Sequence, residues 1–168
     1  MPAVTASPED GSAALERLID SEALRLYRIA LAIVDDRGDA EDVVQETMLS
    51  AWRHWCSLRN HPNQKAWLTR VCVNHSIHRR RALGRRVLWS SEQWLAASSG
   101  PVNTDGRLLD LHRAYQSLSA RQRAMVALHL QDGFTVEECA RFLGCRSGTA
   151  RSHLGRAVAK LRKEFIHA

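Results

Sequence analysis

Residues 146–156 bring together Arg146, Ser147, Gly148, Thr149, Arg151, Ser152, His153 and Arg156. Guanidinium groups bond bidentately to guanine edges or to phosphates, and hydroxyl and imidazole groups can donate or accept beside them. Such side chains read sequence only when a rigid element carries them into a groove. The preceding residues supply one. Thr135 with Glu138 three residues on fits a capping box. Ala140 is small where two helices would cross. Gly144, four later, falls where a tight turn wants positive φ, and Ala150, six beyond that, can pack back on the first helix. A small residue, glycine at +4 and a small apolar residue at +10 form the helix-turn-helix pattern. Ser147 would cap the second helix, whose N-terminal half would enter the major groove. The plainer alternative is a helical hairpin with a basic surface.

Charge supports a polyanionic partner more by its distribution than by its total of +6 over 168 residues. Between Ala51 and Ser90 there is no Asp or Glu, while Arg53, Arg59, Lys65, Arg70, Arg79, Arg80, Arg81, Arg85 and Arg86 occur there. Segment 20–50 is net acidic. Two opposite charges inside one small domain point to two surfaces for two partners. A second acid-free stretch, Ala140 to Lys163, coincides with the helix-turn-helix. Arginines in both would contact phosphates in a salt-sensitive way.

The elements that must position these residues are all helical. After a polar tail over 1–14, apolar residues recur at helical spacing from about Leu15 to Val34. A second helix is expected from about Ala40 to Leu58, with Asp39 as N-cap and Val43, Val44, Thr47, Met48, Ala51, Trp52 and Trp55 as a buried stripe. A loop at 59–64 precedes a third helix from about Lys65 to Arg81 or slightly beyond. Residues 84–107 read as a flexible linker rich in Ser, Gly and Pro, and Trp89 and Trp94 within it suggest docking on a partner. Four helical segments follow, at about 108–117, 120–131, 135–143 and 147–165. The expected fold class is all-α: two small helical domains, 15–83 and 108–168, joined by that linker, the second a helix-turn-helix domain.

Both domains resemble one family. DAEDVVQETMLSAW (39–52), WLTRVCVNHSIHRRR (67–81) and the segment from Leu118 to Arg162 are similar to motifs of the extracytoplasmic-function (ECF) sigma factors, subunits of RNA polymerase. The resemblance implies that Asp39, Glu41, Asp42, Gln45, Glu46 and Leu49 meet the β′ clamp of core polymerase. It implies that Leu58, Asn60, His61, Asn63, Lys65, Arg70, Asn74, His78, Arg79, Arg80 and Arg81 face the −10 promoter element, with a flipped base held by the loop. Residues 146–156 would read the −35 element beside the β flap. Promoter DNA, core polymerase and an anti-sigma factor are the implied partners. His78 replaces the usual Asp, Cys72-Val73 the common Ala-Arg, Ala150 the usual Val, and Arg146-Ser147-Gly148 stands for Pro-Glu-Gly. These departures bear on promoter sequence rather than on fold.

The other classes of function find little support. No Gly-rich phosphate loop, metal-spaced ligand cluster or nucleophile–base pair is evident, so no catalytic residue, metal or cofactor is expected. Cys56, Cys72, Cys139 and Cys145 have no C-x-x-C spacing and read as buried free thiols. His75 and His78 read as exposed basic-face residues. No apolar run could span a membrane and the N-terminus is no signal peptide, so a cytoplasmic protein without membrane insertion is expected, with no further domain after Ala168. The competing functional reading is a stand-alone helix-turn-helix regulator.

Overall fold

The computed structural model describes residues 8–87 and 112–166, and all their regular structure is helical. The elements are α1 (Pro8–Val34), α2 (Arg37–Arg53), the one-turn α3 (Trp55–Leu58), α4 (Gln64–Val87), α5 (112–116), α6 (Ala120–Met125) with a π-helical continuation (Val126–Gln131), α7 (Val136–Leu143) and α8 (Ser147–Ile166). Trp89, Trp94 and most of the expected linker lie outside the described residues.

Several boundaries differ from expectation for local reasons. The first helix begins at Pro8, so residues 8–14, expected as tail, are helical; proline suits a first helical position because its φ is already set. The N-cap of α2 is Asp36, not Asp39: its carboxylate accepts from the Asp39 amide at 2.9 Å. In the doublet Asp35-Asp36 only the second residue is extended; Asp35 sits at φ 64 and closes α1 instead. The single helix expected over 40–58 is broken at His54. The third helix continues to Val87, beyond the expected end.

The first domain is a bundle of α1, α2 and α4. Leu26, Ile29 and Ile33 from α1, Val43 and Ala51 from α2, and Leu68 and Val73 from α4 are fully buried. Each of the Leu, Ile and Val side chains contributes roughly 1.5–3 kcal/mol through removal from water. Trp52, expected in this stripe, is 67% exposed, because it lies on the far side of α2 from Val43 and Ala51. The thiols are also not uniformly buried: Cys72 and Cys139 are, whereas Cys56 is exposed and Cys145 half-buried. Burial pushes the Cys72 thiol up to about 12 and that of Cys139 to about 11, which makes both inert.

The second domain packs on the first, and the two share a continuous core. Arg25 on α1 bridges Glu22 of its own helix (2.8 Å) and Asp132 after the π segment (3.0 Å). Tyr115 donates to the Ala32 carbonyl at 2.6 Å. Arg123 is fully buried. It lies over the Tyr115 ring at 4.9 Å, hydrogen-bonds the Leu118 and Gln116 carbonyls, and stands 3.5 Å from the Asp35 carboxylate. Gln116 also donates to Asp35. The left-handed residue at the end of α1 thus aims its carboxylate at the other domain.

Candidate nucleic-acid interface

Three consecutive arginines on α4 have three different environments, because successive helical residues are about 100° apart. Arg79 turns toward α2: its Nε donates to Asp39 at 2.7 Å and its Nη2 to Asp42 at 2.5 Å. Arg80 turns toward α1 and the second domain, donating to the Val34 carbonyl at 3.0 Å and to Gln116 at 3.5 Å. Arg81 points to solvent. Of the three arginines expected to face DNA, Arg81 is exposed, while Arg79 and Arg80 are half-buried and already bonded to neighbouring elements of the protein.

What remains on the outer face of α4 is a stripe. Arg70, Asn74, His78 and Arg81 are all exposed at helical spacing. His75, expected on the exposed face, is half-buried instead and meets Glu46 at 3.2 Å and Ser50 at 3.5 Å. The stripe is continuous with the loop before α4, where Asn60, His61 and Asn63 are exposed. Leu58 does not belong to that surface: it is 2% exposed and part of the core, a correction to the loop assignment. The loop is braced from within. Asn63 caps α4, its Oδ1 accepting from the Ala66 amide at 2.9 Å, and its own amide donates to His61 Nδ1 at 3.0 Å. Gln64 donates to the Leu58 and Arg59 carbonyls at 3.2 Å. Asn63 therefore keeps its side-chain NH2 and one lone pair of Oδ1 to offer a base edge.

Lys65 is exposed but paired with Glu22 at 2.9 Å. Burial would raise the Glu22 carboxyl, but hydrogen bonds from Lys65 and Arg25 outweigh it and hold the pKa below the ordinary value. This cluster floors a cleft of about 830 Å³ between the domains, where His61, Asn63 and Arg70 face Asp132, Phe134 and Arg141.

Helix α2 presents Glu41, Asp42, Gln45, Glu46 and Leu49 to solvent, and Leu49 is 50% exposed. Asp39 is mostly covered by Arg79, its side chain only 15% exposed. Trp52 stands three residues beyond Leu49 on the same outer face.

The second domain builds the helix-turn-helix as its sequence dictates. Thr135 and Glu138 form the capping box: the Glu138 amide donates to Thr135 Oγ1 at 3.2 Å and the Thr135 amide to Glu138 Oε2 at 2.8 Å. Those Thr135 bonds hold the Glu138 carboxyl below its usual value. Gly144 takes φ 60 and closes α7, while Ala140 and Ala150 are buried at the crossing of α7 and α8. Ser147 is the first residue of α8 rather than its cap.

Along α8, Gly148, Thr149, Arg151, Ser152 and Arg156 are exposed, as is Arg146 in the turn. Arg151 pairs with Glu137 at 3.2 Å, both well exposed, a contact worth little and easily exchanged for a phosphate. Ser152 donates to the Gly148 carbonyl and keeps its acceptor lone pairs. His153 is half-buried, and burial first, then Arg121 and Arg156, lowers its pKa, so it presents a neutral imidazole at pH 7.

The π segment was not legible in the sequence. Its carbonyls accept from farther along than in an α-helix, Ala127 from the Asp132 amide and Leu128 from the Phe134 amide, each at 3.0 Å. The wider turn ends where Asp132 reaches Arg25. Among the described residues no His, Cys, Asp or Glu cluster fits a metal ion, and no helix is long and apolar enough to cross a membrane.

Comparison with known proteins agrees in order and extent. The model of sigma-70 region 2 matches residues 18–86 and that of sigma-70 region 4 matches residues 108–161. The ECF RNA polymerase sigma factor SigL of Mycobacterium tuberculosis is 35% identical over 156 residues, covering 90% of this chain and 88% of the relative. The RNA polymerase sigma-E factor of Streptomyces coelicolor is 30% identical over 146 residues, covering 84% and 80%. Among solved structures, the sigma factor RpoE of Bartonella quintana, determined with the anti-sigma factor NepR, superposes with a TM-score of 0.66 at 30% identity, covering 89% of this chain and 97% of that one. CnrH, determined with the cytosolic domain of CnrY, has a TM-score of 0.64 at 22% identity, over 93% and 90%, a likeness of fold alone.

Proposed function

The chain belongs to the ECF sigma factors of the sigma-70 family, and on that premise we propose how its surfaces divide the work of transcription initiation. As an alternative sigma factor it directs RNA polymerase to promoters. Residues 15–83 bind the polymerase core and the −10 element, 84–107 link the domains, and 108–168 read the −35 element beside the β flap.

The outer face of α2 docks on basic helices of the β′ clamp through Glu41, Asp42, Gln45 and Glu46, with Leu49 and Trp52 adding apolar area. The stripe Arg70, Asn74, His78 and Arg81 on α4 faces the −10 DNA. Asn60, His61 and Asn63 hold a flipped base, offsetting an unstacking cost of a few kcal/mol. In the −35 groove Arg151 and Arg156 read or position, Arg146, Thr149 and Ser152 flank them, and Gly148 lets backbone approach closely. What carries this reading is that one small bundle exposes both an acidic–apolar face on α2 and a cationic stripe on α4.

The two elements lie about 25 base pairs apart, or roughly 85 Å at about 3.4 Å per step. The contacts of Arg25, Tyr115 and Arg123 across the domain interface therefore open when both elements are read. The chain supplies no chemistry of its own and works in the cytoplasm with the polymerase. An anti-sigma factor holds it inactive, a reading that rests on the similar RpoE having been solved with one. Pull-down with core polymerase tests the docking face. Asp42→Arg with Glu46→Arg should abolish binding, since like charges across an interface cost several kcal/mol, on the order of a hundredfold or more. Intact binding would overturn the assignment of α2.

A further inference from the structure

We propose that Arg79 is a positioning residue for polymerase docking and not a promoter contact. This rests on the reading of α2 as the docking helix. Arg79 comes from the helix whose outer stripe is cationic, and its sequence context, flanked by Arg80 and Arg81, suggests phosphate binding. Its geometry says otherwise. One guanidinium nitrogen holds Asp39 Oδ1 and a second holds Asp42 Oδ2. The charge-assisted bond to Asp39, together with that to Asp42, raises the Arg79 pKa further. Four residues earlier on α4, His75 meets Glu46, again from the same row of α2. The rows run antiparallel: 75 and 79 on α4 face 46, and 42 with 39, on α2. The result is a short zipper joining the two helices.

Two consequences follow from the bond geometry. Asp42 is half-exposed and only its Oδ2 is engaged, so Oδ1 is left for an incoming cation while the side chain is already held in one rotamer. Holding a carboxylate in its bound conformation lowers the ordering cost of docking. Asp39, mostly covered, acts as the anchor of Arg79 and not as a surface group. This also moves Asp39 from the docking set to the support beneath it.

The test uses the full chain with core polymerase and reads two quantities: affinity for core, and the slope of log promoter affinity against log salt for the holoenzyme. Each phosphate contact adds about one to that slope. Arg79→Ala is expected to weaken core binding roughly three- to tenfold, the scale of one or two side chains losing preorganisation, and to leave the slope unchanged. Arg79→Lys, which keeps the charge but loses the fork that bridges two carboxylates, should recover part of the loss. Arg81→Ala provides the contrast, lowering the slope by about one with core affinity retained. Circular dichroism of each variant checks folding, and Arg79→Gln, which keeps one donor, serves if Arg79→Ala unfolds.

Unchanged core affinity in a folded Arg79 variant would overturn the proposal, as would a slope lowered by about one. Failure of the docking assignment itself would look different, because Asp42→Arg with Glu46→Arg would then leave core binding intact.

Discussion

The two long basic helices, α4 and α8, carry similar cationic sequences and use them differently. Helix α4 lies among α1, α2, α6 and α7, so most directions around it are occupied. Two arginines of its consecutive triplet are drawn into the protein, to Asp39 and Asp42 and to the Val34 carbonyl. Helix α8 packs on α6 and α7. Its cations stay outside, and Lys160, which donates to the Ser117 carbonyl at 2.8 Å, does so from an exposed position. A run of arginines is thus a DNA surface only to the extent that neighbouring elements leave it uncovered.

That contrast makes stability and DNA binding separable. The largest effect is expected at Arg80. Arg80→Ala removes charge-assisted bonds to α1 and to Gln116 and should cost about 1.5–3 kcal/mol in chemical denaturation, the usual worth of a hydrogen bond to a charged group. Next comes the turn that aims α8. Gly144 has φ 60, and Gly144→Ala forces a side chain into the left-handed region at roughly 1–2 kcal/mol, lowering the melting temperature. On α8 itself, Arg151→Ala and Arg156→Ala should change stability by less than about 0.5 kcal/mol, as for surface positions, while weakening −35 binding. A loss equal on all DNA sequences would mark a phosphate contact, and a loss confined to particular bases a reader.

The smallest effect is a pH dependence under the domain interface. Glu22 has a depressed folded pKa, so its pairing with Lys65 and Arg25 contributes stability above the unfolded carboxylate value, and this is lost as pH falls through the lower folded value. Glu22→Gln should flatten the acid limb of a stability–pH curve. A limb of unchanged steepness would place that dependence on other carboxylates.

Much of the second domain was legible because its signals are local. Thr135 and Glu138 cap within one turn, Gly144 needs its φ whatever surrounds it, and Ala140 and Ala150 are small at a crossing fixed by that turn. The all-helical class followed from apolar spacing in the same way. Less was legible in the first domain. The placing of the cap at Asp36 and not Asp39 turned on Asp36 being extended directly after the left-handed Asp35. The exposure of Trp52 turned on a helix phase that a wide apolar stripe does not determine. The separate environments of Arg79 and Arg80 depend on α1, α2 and α5, through partners 36–46 positions away in sequence that are brought close only by packing. The same holds for Asp35 at φ 64, whose carboxylate is used by Gln116 and Arg123.

On the proposed division of work, the cationic stripe of α4 and the exposed cations of α8 serve different promoter elements. Footprinting of holoenzyme on one mapped promoter tests it most directly, with Arg70→Ala/Arg81→Ala compared against Arg151→Ala/Arg156→Ala. The first pair is expected to lose protection and opening around −10 while keeping −35 protection, and the second pair to lose −35 protection first. Loss of both footprints together from either pair, or the reverse assignment, would contradict it.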